Sequence, residues 1–93
     1  MDEMKKETLL ENMTVNLPVL RRARGLSQTE LAELLGVARA TVAVVENRKR
    51  KLSWEMYLAL VLIFSKNEAT EKLLYALNVY DEEVEAKLRF ANE

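Results

Sequence analysis

Residues 27–47 read SQTELAELLGVARATVAVVEN, and their spacing decides the fold. Ser27-Gln28-Thr29-Glu30 is a capping box: the Ser27 hydroxyl accepts the amide of Glu30, and the Glu30 carboxylate reaches back to the amide of Ser27, so a helix opens here. Leu31, Ala32, Leu34 and Leu35 supply its apolar face. Gly36, which takes left-handed backbone without strain, stops it. A helix this short must be held by packing. Past Val37 a second helix runs from Arg39 to Glu46 or Asn47, with Val42 and Val45 on its apolar side and Ala40, Ala43 and Val44 turned elsewhere. The small Ala32 stands where two steeply crossing helices approach. The spacing therefore predicts two short helices closed around a tight turn, a pattern that a plain helical hairpin shares.

Working outward, Asn16 before Leu17-Pro18 reads as an N-cap followed by proline in the first helical turn, so a helix is expected from position 17 to Gly25. Residues 1–12 form a short helix through Leu9, Leu10 and Met13 or else fray. On the other side, Arg48-Lys49-Arg50-Lys51 makes a basic loop. Ser53 then caps a helix from Trp54 to Phe64 that is apolar around most of its circumference and so is buried on several sides, with Trp54 as a lid on the core. A further helix is predicted over 69–77. A last one opens on Asp81-Glu82-Glu83, acids that suit the helix dipole, and carries Val84, Leu88 and Ala91 on one side. The reading is all-α, with an N-terminal extension (1–16), a segment holding the two-helix motif (17–66), and C-terminal helices (67–93) that complete the core, dimerise or dock a partner.

Composition removes most chemistry. The 93-residue chain has no Cys and no His, so disulfides, thiolate nucleophiles, Cys/His zinc sites and imidazole triads are excluded. Its two glycines cannot build a phosphate-cradling loop. No motif positions an acid–base pair, no metal or cofactor is expected, and the chain is not read as an enzyme. The roughly 29 residues after the Trp54–Phe64 helix leave no room for a separate ligand or catalytic domain. Residues 1–12 carry charge and no apolar core, unlike a signal peptide. The longest apolar run, Met56 to Phe64, is nine residues, far below the ~20 that span a membrane. No membrane partner is expected, and the location reads as cytoplasmic.

The net charge is only −1, but its distribution is uneven. Residues 17–54 hold eight Arg and Lys against Glu30, Glu33 and Glu46, a local balance of +5 between acidic flanks. A basic centre of this kind is the electrostatic footprint of a nucleic-acid partner.

The text LPVLRRARGLSQTELAELLGV (17–37) continued by ARATVAVVEN (38–47) resembles the Xre/Cro family of phage repressors and bacterial regulators, a resemblance that runs over 17–64, about half of the chain. It implies a five-helix repressor-like domain with a helix-turn-helix, here followed by a short C-terminal helix, that binds operator DNA as a homodimer. In that frame Gln28 is the residue holding a DNA phosphate from the start of its helix, or a simple first-turn residue. Arg39, Ala40 and Val44 fall at the outward, base-facing positions, and Thr41 and Asn47 at positions near the sugar-phosphate backbone. Arg21 and Glu46 match a structural ion pair that braces the first helix against the end of the third. Arg39 suits a bidentate contact to guanine O6 and N7, or else a phosphate or free solvent; Ala40 and Val44 can pack only on thymine methyl groups. Arg48, Lys49, Arg50 and Lys51 read as a phosphate clamp or as a solvated charge run.

Three positions depart from the family pattern. Val44 stands where a polar or basic residue is usual, Ala38 where Ser or Thr caps the third helix, and Arg48 where Gly follows the Glu-Asn pair. The first weakens direct readout and suits protein contact. The expected function is a sequence-specific double-stranded DNA-binding transcriptional regulator, a repressor on a palindromic operator. The alternative is an interaction module, an antitoxin or docking subunit, that retains the fold and meets a protein partner, with the C-terminal helices as one docking surface.

Overall fold

A computed structural model describes residues 2–91, with side chains to position 88. Six helices make up the ordered elements of the described residues: α1 (Glu3–Ala23), α2 (Gln28–Leu35), α3 (Arg39–Glu46), α4 (Trp54–Ser65), α5 (Glu68–Ala76) and α6 (Glu82–Ala91). The all-α class is as expected, but six helices share one core in place of a five-helix unit with an appendage. Val84 of α6 is fully buried in that core and Leu88 packs against it, so this stripe faces inward. The side chain of Ala91, the third member expected there, lies outside the described ones.

The start of α1 corrects the sequence reading. No helix begins at Leu17: α1 runs unbroken from Glu3, capped by Asp2 Oδ1, which accepts the Lys5 amide at 2.7 Å. Pro18 lies inside it, and Asn16, expected as a cap, donates from Nδ2 to the Asn12 carbonyl. A proline within a helix costs about 3 kcal/mol through the lost amide and ring crowding. Against this, Leu9, Leu10, Met13, Leu17 and Leu20 form one buried stripe across the proline. Each such side chain contributes roughly 1.5–3 kcal/mol on burial, so continuity wins. Residues 3–16 thus add core side chains to the first helix.

α4 packs on α1, α2 and α5, and α1 on α3, α4 and α5, so these two helices organise the core. Its Tyr57, Leu60, Val61 and Phe64 are buried, and the Tyr57 hydroxyl donates to the Val79 carbonyl at 2.5 Å. Burial raises the Tyr57 hydroxyl's pKa far above its ordinary value. The capping box at Ser27 is formed in both directions, and Leu31 and Ala32 seat α2 in the core. Leu34, expected on the buried face, is instead 58% exposed. At 100° per residue it stands roughly 100° round α2 from the line of Leu31, Ala32 and Leu35. Val42 and Val45 bury the inner side of α3 as expected.

Candidate functional site

α2 and α3 pack against each other across Gly36, whose φ of +72° closes the turn. What fixes α3 on the body is a polar brace. Arg21 Nε donates to Glu46 Oε2 at 2.7 Å and Arg21 Nη2 to Glu46 Oε1 at 3.2 Å, while Arg21 Nη1 donates to the Leu26 carbonyl. Both side chains are nearly buried, at 10% and 6% exposure. The fork geometry makes this the strong form of carboxylate pairing. Gln28 Nε2 completes it, donating to Glu46 Oε1 at 3.0 Å. One donor of Gln28 is therefore spent inside the protein.

Held in this way, α3 presents Arg39 and Ala40 to solvent and keeps Thr41 and Val44 half-buried. Among the described residues Arg39 has no carboxylate within 4 Å. Ala38 occupies the N-cap of α3 with no side-chain bond to the helix amides, the departure noted in the sequence. A Ser or Thr there is worth on the order of 1 kcal/mol.

The far end of α3 is more unusual. Four helix ends share one closing pattern, a left-handed residue followed by one whose amide reaches back five residues. At Gly25, Gly36 and Asn78 the following residues are Leu26, Val37 and Val79, each packed in or against the core. This is the usual chemistry of such a stop. At α3 the left-handed residue is Arg48, with φ +61°, and the next is Lys49, whose amide bonds the Val44 carbonyl at 2.9 Å. Arginine in this conformation is strained by roughly 1–2 kcal/mol. The chain has placed two cations where the fold prefers glycine and an apolar residue.

Arg48, Lys49, Arg50 and Lys51 are all exposed, as is Asn47, and Leu52 anchors the loop in the core. The four cations are not equivalent. Across a cleft from the loop, α1 offers two acids one turn apart: Lys51 Nζ lies 2.9 Å from Glu7 Oε2, and Arg48 Nη2 lies 3.9 Å from Glu11 Oε1. Among the described residues Lys49 and Arg50 meet no carboxylate within 4 Å. The sequence reading missed Glu7 and Glu11 because it left 1–12 as a short helix or a frayed end, apart from a helix starting at Leu17; only a continuous 3–23 helix carries both acids past the basic loop. Trp54 stacks on Tyr57 with ring centroids 4.8 Å apart, and Lys6 Nζ sits 4.9 Å from its ring, so it acts as a lid on the core.

Among the described residues no cluster of acidic side chains could hold a metal ion, and no helix is long and apolar enough to cross a membrane. A family model described as helix-turn-helix matches residues 20–67, more than half of the chain, from the last turn of α1 to the cap of α5. No curated protein and no solved structure matches the chain.

Proposed function

The chain belongs to the helix-turn-helix family, and on that premise we propose that it is a sequence-specific double-stranded DNA-binding transcriptional regulator, a repressor that occupies a palindromic operator as a homodimer. The observation that carries this reading is the exposed start of α3, where Arg39 and Ala40 stand on a helix whose other end is fixed by the buried Arg21–Glu46 pair. A base-reading helix needs such fixed placement, because a bidentate contact tolerates little displacement.

In this mechanism α3 enters the major groove. Arg39 forks onto guanine O6 and N7, and Ala40 and Val44 pack against thymine methyl groups. Thr41, Asn47 and the basic loop face the sugar-phosphate backbone, where they set register without reading sequence. Gln28 reaches phosphate with the amide hydrogen that Glu46 leaves unused. A homodimer sets its two α3 helices roughly 34 Å apart, one turn of B-DNA. Leu62 and Tyr75, 47% and 44% exposed on α4 and α5, are the apolar residues we assign to its interface.

Exposed Leu34 on α2 and Ala40 on α3 favour a second reading as a protein-docking module. A salt titration against random duplex DNA separates the two. A DNA reader loses affinity steeply as salt rises, with log K falling by about 0.9 per log salt for each phosphate contact; a docking module shows little binding at any salt.

A further inference from the structure

The loop cations are the natural grip on phosphate, yet two of the four are already engaged. The cleft of about 290 Å³ between α1 and the loop has Glu7, Leu10, Glu11 and Thr14 on one wall and Arg48 to Leu52 on the other. Leu10 and Leu52, both buried, fix the register of the two walls. Lys51 Nζ meets both carboxylate oxygens of Glu7 at 2.9 Å. Glu11 stands one helical turn along, opposite Arg48.

These pairs are poor stabilisers. Their side chains are between 52% and 71% exposed, and pairs of this kind contribute about 0–1 kcal/mol. Their effect on an incoming anion is larger. A free cation that neutralises a phosphate releases the counterions condensed on it, whereas a cation that arrives with its own carboxylate neutralises nothing net. The acids lie outside the segment that matches the family model.

We propose that Glu7 and Glu11 act as a built-in competitor for phosphate, holding Lys51 and Arg48 against α1 and so setting the affinity of the site for any duplex backbone. This rests on the DNA-binding reading above and deepens it. Lys49 and Arg50 carry the resting grip. Lys51 and Arg48 join it only when a phosphate displaces a carboxylate. The affinity for random DNA is thereby kept low in a chain whose central segment is strongly basic.

The test is a salt titration of the full chain on a random duplex, with wild type beside Glu7→Gln/Glu11→Gln. Both substitutions are nearly isosteric and lie at exposed positions, and a melting curve verifies the fold. The expected result is a salt slope steeper by up to about two, with roughly a tenfold gain in affinity per freed cation near 0.1 M salt. Glu68→Gln/Glu71→Gln, which changes net charge equally on α5, leaves the slope unchanged. Lys51→Gln then has little effect in wild type but lowers the slope by about one in the Glu7→Gln background. A wild type that binds DNA with the same slope and affinity as Glu7→Gln/Glu11→Gln overturns this proposal alone. Absence of binding by both proteins at low salt overturns the DNA reading and this proposal with it.

Discussion

Arg21 and Glu46 lie 25 residues apart in sequence and form a two-pronged, nearly buried ion pair that ties the end of α1 to the end of α3. Removing one partner strands the other charge, and also strips a donor from the Leu26 carbonyl or from Gln28 an acceptor. Fully buried pairs cost roughly 3–5 kcal/mol when broken this way. The slight remaining exposure puts Arg21→Met and Glu46→Leu at or below the lower end. The double variant recovers part of the loss. Urea denaturation of the four proteins checks this; strictly additive losses contradict the coupling.

Arg48→Gly raises stability in any background but weakens binding only where Glu11 no longer holds the cation. Glycine relieves the left-handed strain at position 48, offset in part by its greater freedom in the unfolded chain, for a net gain of about 0.5–1 kcal/mol. The same change removes a cation from the proposed DNA face. With Glu11 in place the expected result is a melting temperature that rises while duplex affinity changes little; in the Glu11→Gln background the same substitution raises the melting temperature and lowers duplex affinity.

Acid should act through two caps. Burial pushes the Asp81 carboxyl up, but the hydrogen bond from Lys5 and the amide of Val84 pull it further down, leaving it below the ordinary value. The backbone amide of Ser27 likewise holds Glu30 low. A depressed carboxyl gives stability that is present above its unfolded value and lost as pH falls through the folded one, below about pH 4. Lys5, raised by the hydrogen bond to Asp81, gives the mirror case: its contribution holds below the usual lysine value and is lost as pH rises through the folded one. With no His in the chain, stability is expected to be flat between about pH 6 and 8. Melting curves against pH test this, and Asp81→Asn should flatten the acid limb.

Helix and loop substitutions should separate on DNA. Arg50→Ala weakens specific and random duplexes about equally and reduces the salt slope by about one. Arg39→Ala costs roughly 1–3 kcal/mol at the preferred site and relaxes one base pair per half-site. Val44→Ala costs less and matters only where a thymine methyl is present, so replacing thymine by uracil abolishes its effect. Fluorescence anisotropy on matched and scrambled duplexes reads all three.

The motif was legible because its signals are local. Ser27 and Glu30 cap within one turn, Gly36 stops α2 in a conformation that disfavours side chains, and Val42 with Val45 marks one face of α3. Arg21 and Glu46 required the family resemblance, since nothing local links residues 25 positions apart. Pro18 misled because its local preference for a first turn was overridden by a buried stripe on both sides of it. Leu34 misled because, although apolar, it stands roughly 100° round α2 from the line of Leu31, Ala32 and Leu35. The split of the loop's cations into an engaged outer pair, Arg48 and Lys51, and a free inner pair, Lys49 and Arg50, depends on α1 passing beside it, and no spacing within 48–51 encodes that.

The central claim is that α3 reads base pairs, and selection from a random duplex pool followed by sequencing tests it most directly. The account predicts a palindromic consensus whose half-sites lie about one helical turn apart, with a guanine in each half-site that loses enrichment when the selection is repeated with Arg39→Ala. A pool that binds but shows no enriched sequence, or a consensus unchanged by Arg39→Ala, contradicts it.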